Sequence, residues 1–514
     1  MSLFSIEFII LLASTFLVYY LISLVNKAFK RVIIPQWSIL LIASIVFYGF
    51  TNWIYLAFLG GSFLVSYVCG ILTQYIVFPE DGLKPIKVND HMERRKYENA
   101  ITTIAIVLNV GVLVVLKYFN FFSGSIQSIF HFNTITTNFI IPIGISFYTF
   151  SLVGYNVDCC KRETVAEVNP LKFLLFVSYF PKILQGPISS YNKLKEDGLF
   201  SEHNFTDTDY LNSFFRISSG LLKKIVIANI IGLYVDSVYA NLADTYGVSL
   251  ILVSLLFAIQ LYCDFSGFMD LAIGISCLFG IKLEENFNAP YLARSIKEFW
   301  TRWHITLGAW LRKYIYIPLG GNRVPLWRWI INTLIVWLIS GLWHGAKYTF
   351  IAWGLFHGIL LILTGLPAFI KKDKTEKKDN FFITALKVAG TFLLVDIGWI
   401  LFRADSLHEL YAYIGHMFSL ATPNQYHVFL DEELTNYNWI FIVALAMSAF
   451  LIVVRVFMDY QNVILSKCKK PELLKFIAKF LVTVAFCSLT LYVFIYMNYI
   501  GSTGTSSSFI YFDF

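Results

Sequence analysis

Two histidines stand in one of the most apolar stretches of the chain. His344 and His357 lie in "LISGLWHGAKYTFIAWGLFHG" (338–358), and each is followed directly by glycine. Histidine is the usual base for removing a hydroxyl proton near neutral pH, and a polar group in lipid is often functional. A histidine bonded to a backbone carbonyl is also an ordinary core residue. The stretch by itself therefore leaves catalysis and core packing equally open.

A second group of reactive side chains lies in "ENFNAPYLARSIKEFWTRWHITLGAWLRKYIYIPLGGNR" (285–323). Seven basic residues occur between Arg294 and Arg328 against one acid, Glu298, and tryptophans and tyrosines are interspersed among them. The segment is too charged to cross lipid and too aromatic for a solvated loop. One interpretation is a basic helix in the membrane interface, held there by anionic lipid.

The histidine near the centre of this segment favours a different interpretation. A helix over 294–313 would place four positions on one face at helical spacing, namely Lys297, Thr301, His304 and Gly308. Such a basic, polar stripe suits a cytosolic substrate that is both phosphorylated and apolar, and coenzyme A thioesters fit that description. The residues predicted to bind an acyl-coenzyme A are Lys297, Arg302, Trp303 and Arg312.

Two carboxylates lie upstream in an otherwise apolar span. Asp264 and Asp270 belong to "LYCDFSGFMDLAIG" (261–274), and a carboxylate at the centre of a bilayer costs about 2.5–3.5 kcal/mol on insertion scales. Each one needs a partner, which we expect to be a backbone amide, a tyrosine, or a basic residue of 294–328. We therefore predict a structural, supporting role for both.

The elements that carry these residues are predicted to be membrane helices. Of the 514 residues, 57% are hydrophobic and only 14% are charged, whereas a soluble protein has roughly 25% charged residues. Because about 20 apolar residues cross a bilayer, we predict an all-α polytopic membrane protein of about 11 or 12 spans. The first span is interpreted as a retained helix rather than a signal peptide. The clearest spans are predicted near 4–25, 32–50, 53–78, 100–117, 139–158, 381–402, 438–458 and 476–499.

Basic clusters between the spans predict the orientation. Placing them in the cytoplasm puts both chain termini outside. The net charge of +7 comes from these loops and does not point to nucleic acid. The segment "FVSYFPKILQGPI" (176–188), with two prolines and a glycine, is predicted to be re-entrant or kinked. The seven cysteines show neither a zinc spacing nor a disulfide framework, so no metal is expected. The basic clusters occupy 26–31, 84–98, 294–328, 371–379 and 466–475.

Taken together with "NFNAPY" (286–291), the segments 261–274, 299–323 and 340–358 resemble the membrane-bound O-acyltransferase family. Within it they are similar to the bacterial branch around the alginate O-acetyltransferase membrane subunit and the peptidoglycan O-acetyltransferase membrane protein. The resemblance implies a helical arch with re-entrant segments and a central tunnel. It divides the chain into N-terminal helices, a catalytic core, C-terminal helices and an extracytoplasmic tail, at 1–138, 139–370, 371–499 and 500–514.

The resemblance also implies roles for the histidines. The family's catalytic histidine, in the "GLWHG" context, falls on His344, and its second polar position, in the "RWH" context, falls on His304. His344 would remove the acceptor's proton, while His304 would orient the thioester or stabilise charge developing on its carbonyl oxygen. His357 matches an "HG" pattern of the branch, and core packing is expected for it.

The activity implied is O-acetylation of a cell-surface or exported polysaccharide, an alginate-like glycan or peptidoglycan, at the bacterial cytoplasmic membrane. Acetyl-CoA is the expected donor substrate, with no permanently bound cofactor. The expected partner is a separate extracytoplasmic protein with an SGNH-type hydrolase-like domain, which this sequence does not contain. D-alanyl transfer and acylation of a lipid stay open within the family. A transporter or flippase is the alternative from another class, although no inverted repeat is visible.

The last segment, "GSTGTSSSFIYFDF" (501–514), joins a flexible linker to an aromatic end. Such aromatic residues are typical of the interfacial belt. The ending also resembles that of a small membrane subunit of teichoic acid D-alanylation, in which a tyrosine is an acyl acceptor. On that resemblance Tyr511 would accept the acetyl group, with His344 as base, and pass it to the partner. Asp513 departs from the uncharged ending of that subunit.

Overall fold

The computed structural model describes residues 5–77, 91–131, 136–371 and 380–419, and the single positions 477, 481, 484, 488 and 492. The regular elements in these ranges are helices, and one isolated antiparallel bridge joins Phe287 to Trp303. The first eight helices are α1 (Ile6–Ala28), α2 (Trp37–Thr51), α3 (Trp53–Val77), α4 (His91–Phe130), α5 (Ile145–Cys160), α6 (Pro170–Ser178), α7 (Phe180–Ile183) and α8 (Tyr191–Glu196). The next nine are α9 (Tyr210–Leu221), α10 (Asn229–Ala240), α11 (Val248–Leu278), α12 (Ile296–Arg302), α13 (Ile305–Leu311), α14 (Leu326–His344), α15 (Tyr348–Lys371), α16 (Phe381–Arg403) and α17 (Leu407–Met417).

Seven of the described helices are long and apolar enough to cross a membrane, which confirms the prediction of an all-α polytopic membrane protein. α4 has 40 residues, so the span predicted near 100–117 is part of a much longer helix. α2 and α5 have 15 and 16 residues, fewer than the about 20 that cross a bilayer upright. The spans predicted near 438–458 and 476–499 lie outside the continuously described residues. The seven candidates are Ile6–Ala28, Trp53–Gln74, Arg95–Phe130, Val248–Leu278, Leu326–His344, Tyr348–Pro367 and Phe381–Arg403.

The segment 176–188 is kinked, as predicted. α6 ends before Tyr179, which adopts φ −48° and ψ 108°, and α7 supplies only one further turn. Pro181 stands at the start of α7, where its missing N–H would have no helical partner. After α7, the N–H of Gly186 donates to the carbonyl of Lys182 at 2.8 Å. The two short helices therefore replace a single straight span.

The chain divides into two compact units, each built from separated stretches. Unit 1 lies within 1–209, 275–285 and 306–318, and unit 2 lies within 210–274, 286–305 and 319–514. Unit 2 holds His304, His344 and His357 together with Asp264 and Asp270. Unit 1 holds Arg312.

In unit 2, α14 and α15 approach each other closely because glycines stand at their contact. A Cβ atom added at Gly341 would lie 3.4 Å from the Cα of Gly354 and would collide with the carbonyl oxygen of Phe350. Only glycine leaves room for such backbone contact. The hairpin carries His344 at the end of α14 and His357 within α15.

Candidate active site

A break in the backbone between α12 and α13 positions His304. Trp303 is extended, and His304 adopts a left-handed φ of +46°. Trp303 pairs with Phe287 in the antiparallel bridge, and the N–H of Ile305 donates to the carbonyl of Asn286 at 3.1 Å. A left-handed backbone is uncommon outside glycine and costs on the order of 1–3 kcal/mol, so it persists only where the surroundings fix it. Here the neighbouring loop fixes it.

The continuous helix considered over 294–313 does not form. α12 ends at Arg302 and α13 begins at Ile305, so the stripe that a continuous helix would form does not exist. The cause is the pairing of the break with 286–289, a contact between separate segments that local spacing does not reveal. The positions of that predicted stripe were Lys297, Thr301, His304 and Gly308.

The imidazole of His304 is enclosed by aromatic rings. It is 3% exposed, and its centroid lies 4.8 Å from the ring of Phe265 and 5.8 Å from that of Trp343. Neither ring nitrogen has a hydrogen-bond partner among the described residues. Burial lowers the pKa of His304 to about 3, because a low-dielectric interior disfavours the charged form. This imidazole is therefore neutral at physiological pH and can donate one N–H.

His344 occupies the last position of α14, in the same part of unit 2. It is 7% exposed, and its ring lies 5.0 Å from Trp353 and 5.2 Å from Phe402. The ring of Trp343 lies 5.1 Å from that of His344 and also contacts His304. Trp343 thus links the two histidines that were predicted to act together.

The turn after His344 and the start of α15 are bonded to the residues that directly follow α16. Thr349 Oγ1 donates to the carbonyl of Ala404 at 3.0 Å, and Lys347 Nζ lies 2.7 Å from Asp405 Oδ1. These bonds hold the C-terminal end of α14 at a fixed position against α16. A base that must meet a substrate in one geometry benefits from such fixed support.

His357 is completely buried inside a group of tryptophans. Its ring lies 4.8 Å from Trp300, 5.1 Å from Trp353 and 5.5 Å from Trp337. A Cβ atom added at Gly398 of α16 would lie 2.5 Å from His357 Nε2, so glycine makes room for the imidazole. Both ring nitrogens lack a hydrogen-bond partner among the described residues. This burial agrees with the core packing expected for His357.

The two carboxylates of α11 form buried ion pairs with two lysines and an arginine outside the basic stretch 294–328, whereas a backbone amide, a tyrosine or a cation of that stretch was expected. Lys224 donates to Asp264. Asp270 accepts from Arg216, from Ser219 Oγ at 2.9 Å and from Lys223 Nζ at 2.7 Å. Arg216 and Ser219 belong to α9, and the two lysines lie in the π-helical segment Leu222–Ala228. The two lysines in the apolar run "LLKKIVIAN" (221–229) were the sequence signal for this pairing.

The residues predicted to bind acyl-coenzyme A differ in their surroundings. Lys297 and Arg312 are exposed. Arg302 Nη2 lies 2.7 Å from Glu298 Oε1, and its Nη1 lies 3.4 Å from the carbonyl oxygens of Asn288 and Ala289. Trp303 is buried, 4.9 Å from the ring of Trp399. In unit 2, Lys297 thus remains open to a ligand, whereas Arg302 is engaged with its own chain.

The sequence analysis missed three buried acids in the described part of the chain, Glu98, Asp158 and Asp396. Asp396, in α16, accepts from Ser254 Oγ at 2.8 Å, and it carries the same signal as Asp264, an acid in an apolar span. In unit 1, Asp158 lies 2.8 Å from Lys313 Nζ and accepts from the Tyr314 hydroxyl at 2.9 Å. Burial disfavours the Lys313 ammonium, but the bonded carboxylates outweigh it and raise the pKa of Lys313. Tyr511 lies outside the described residues.

The arrangement in unit 2 suits proton transfer in a dry site. Two buried imidazoles, His304 and His344, share contact with one indole, and a neutral imidazole can accept a proton at one nitrogen and donate at the other. Aromatic rings surround both, and such rings exclude water from the reacting groups. Within the described residues, no cluster of three or more metal-binding side chains is present.

Comparison with known proteins gives matches that cover the site. A model of the membrane-bound O-acyltransferase family matches residues 159–389, which include the site histidines His304, His344 and His357. A Pseudomonas putida protein named "Probable alginate O-acetylase AlgI" is 35% identical over 385 residues, covering 74% of each chain. A peptidoglycan O-acetyltransferase of Helicobacter pylori is 34% identical over 400 residues, covering 72% of this chain and 71% of that protein. A teichoic acid D-alanyltransferase of Bacillus subtilis is 30% identical over 298 residues, covering 53% and 71%.

Proposed function

Because the chain belongs to the membrane-bound O-acyltransferase family, we propose that it transfers acetyl groups from cytosolic acetyl-CoA for O-acetylation of a cell-surface or exported polysaccharide. That it is an O-acyltransferase follows from the family and from relatives that cover about three quarters of both chains. The relatives named for acetylation of alginate and peptidoglycan match more of this chain than the D-alanyltransferase does, 74% and 72% against 53%. This difference in coverage favours acetyl transfer to a glycan over D-alanyl transfer.

The observation that carries the proposal for the site is the position of His344. It is a buried imidazole at the end of a membrane helix, held by the bonds of the following turn to α16. As the acceptor hydroxyl oxygen forms a bond to the thioester carbonyl carbon, His344 removes the hydroxyl proton. The carbon–sulfur bond then breaks, and the imidazolium returns the proton to the coenzyme A thiolate. A positioned base of this kind contributes about 10²- to 10⁴-fold to the rate.

His304 is proposed to donate its N–H to the thioester carbonyl oxygen. Being neutral, it carries one N–H, and neither nitrogen is bonded within the described part of the chain. A donor aimed at a carbonyl oxygen stabilises the negative charge that develops there. The left-handed backbone at His304, held by the loop 286–289, fixes the position of this residue before the substrate arrives.

The acceptor and partner of the reaction are further parts of the proposal. We propose that a separate extracytoplasmic protein of the SGNH hydrolase-like type completes transfer to the glycan, and that the enzyme lies in the bacterial cytoplasmic membrane with both termini outside. The relatives named for alginate and for peptidoglycan support a glycan as final acceptor. In unit 2, the exposed cation Lys297 is the candidate for contact with the phosphates of the donor.

Replacement of His344 tests the function. His344→Ala is expected to abolish glycan acetylation, a loss of at least about 10²-fold, because the substitution removes the positioned base. The measurement is acetate released by mild alkali from the isolated polysaccharide, with the amount of protein in the membrane determined in parallel. His408→Ala, at an exposed histidine of α17, is the control and should acetylate normally. Near-normal acetylation by well-expressed His344→Ala would overturn the assignment.

A further inference from the structure

The outward face of α17 carries large apolar side chains. The spacing of these residues, four, three and four positions apart, places them on one face of a helix. Tyr411 is 82% exposed and Phe418 77% exposed. A helix whose outer face met water would carry polar residues there. The four residues of this apolar face are Leu407, Tyr411 and Ile414 of α17 and Phe418, which directly follows the helix.

The opposite side of α17 is fixed to unit 2. The ring of Tyr413 stacks on Tyr239 at 5.2 Å, and its hydroxyl donates to the carbonyl of Leu250 at 2.6 Å. The N–H of Gly247 donates to the carbonyl of His416 at 3.0 Å. Because these contacts fix the rotation of α17 about its axis, its apolar face points away from the rest of unit 2.

α17 lies where a membrane span ends. α16 is a candidate span, and its exposed side chains include Leu386, Leu393 and Ile397, which face lipid in a bilayer. Only 404–406 separate the end of α16 from the start of α17, so the apolar face begins within a few residues of the membrane surface. Large aromatic residues such as Tyr411 are typical of that depth.

We propose that α17 lies in the plane of the membrane and inserts its apolar face into the phospholipids of the leaflet at the C-terminal end of α16. The apolar face would then contact phospholipids at the depth where the headgroups meet the acyl chains. The short connection to α16, itself a candidate membrane span, and the held inner side of α17 both point to this occupant. Another segment of the chain or a second protein covering the face would overturn it.

The proposed lipid contact has a consequence for the site. The turn after His344 and the start of α15 are bonded to Asp405 and Ala404, which lie in the short connection between α16 and α17. Lipid contact by α17 thus sets the depth in the membrane at which the end of α14 is held. This surface is independent of the proposed reaction, because it rests on exposure and connectivity alone.

Photo-crosslinking in vesicles tests the proposal. The full chain carries p-benzoylphenylalanine at one position at a time and is reconstituted in phosphatidylethanolamine–phosphatidylglycerol vesicles. The four positions of the apolar face are tested, so that one poorly folding variant does not decide the result. Ile397 in α16 is the lipid-facing control, and His408, exposed beside the face, is the matched control.

Mass spectrometry of the irradiated protein gives the result. Phospholipid adducts at Tyr411 and Phe418 are expected in yields similar to that at Ile397 and several-fold above that at His408. Adducts to another segment of the chain or to a second copy would overturn the proposal. So would yields at the apolar face no higher than at His408.

Discussion

His304 combines two unfavourable features, a left-handed backbone and a buried imidazole. Its pKa of about 3 lies below the ordinary value near 6.5. Between these two values the unfolded state binds more protons than the folded state. Above pH 6.5 the titration of His304 does not affect the free energy of unfolding. As the pH falls from 6.5 towards 3, it lowers that free energy.

His304→Asn is expected to make the protein less sensitive to acid. Asparagine tolerates the left-handed conformation and does not titrate, so the variant should lose about 2 kcal/mol less stability than the wild type between pH 7.5 and pH 5. Thermal unfolding in detergent at both pH values provides the measurement. His408→Asn, at an exposed position, should behave as the wild type. Equal acid sensitivity of His304→Asn and the wild type would contradict the assigned pKa.

His357→Leu is expected to keep the protein stable and active. Both imidazole nitrogens lack a partner within the described residues, and replacing unpaired polar groups by an apolar group of similar size is close to neutral or stabilising. His357→Ala should lose about 2–5 kcal/mol, because it leaves a cavity among the tryptophans. Unfolding temperature and acetyl transfer are measured for both variants. Loss of transfer in a stable His357→Leu protein would give this histidine a part in the reaction.

At the residue scale, sequence could identify the histidines but not their surroundings. An imidazole in an apolar span is visible in the sequence, and so is the motif around His344. The left-handed backbone at His304 is not visible, because it results from pairing with a loop some fifteen residues earlier. The same applies to the exposure of Lys297 and the engagement of Arg302.

At the scale of elements, the apolar stretches predicted the long helices, whereas the partners of their charges needed the structure. Asp264 and Asp270 pair with α9 and the π-helical segment after it, over separations of 40 to 54 residues in the sequence. Sequence showed that these carboxylates need cations. It did not show which cations, because helix packing decides that.

Replacement by asparagine is expected to destabilise the protein much more at Asp270 than at Asp396, although both acids lie in membrane spans. Asp270→Asn leaves Arg216 and Lys223 facing an uncharged amide, and removal of one partner of a buried ion pair destabilises by about 3–5 kcal/mol. Asp396→Asn keeps an oxygen that can accept from Ser254 Oγ, and it should cost about 1 kcal/mol or less. The midpoint of denaturant-induced unfolding in mixed micelles compares the two. Similar midpoints would show that the Asp270 pairs do not stabilise the fold.

At the scale of the whole molecule, the family and the membrane class could be predicted from the sequence, because hydropathy and long motifs are local features. The division into two units from separated stretches could not, since it depends on which distant segments meet. The role of the C-terminal tail stays a prediction.

Tyr511→Phe tests that role. The substitution removes the hydroxyl of "FIYFDF" but keeps an aromatic ring, so glycan acetylation should fall to background if Tyr511 relays the acetyl group, while acetyl-CoA cleavage with an added small acceptor is retained. Tyr499→Phe, just before the tail's Gly/Ser/Thr run, is the control and should acetylate normally. If Tyr511→Phe acetylates the glycan at the wild-type rate, Tyr511 does not relay the acetyl group, and the aromatic tail serves only to anchor the chain in the membrane interface.

The glycine contact between α14 and α15 also has a mechanical consequence. Backbones that touch, as at Gly341 and Gly354, have no layer of side chains between them that could yield, so one helix cannot slide along the other without a collision. The hairpin of α14 and α15 therefore moves as one rigid body. The distance between His344 and His357 therefore stays fixed when the hairpin moves. A conformational change that admits a substrate must rotate the whole hairpin or displace the helices around it.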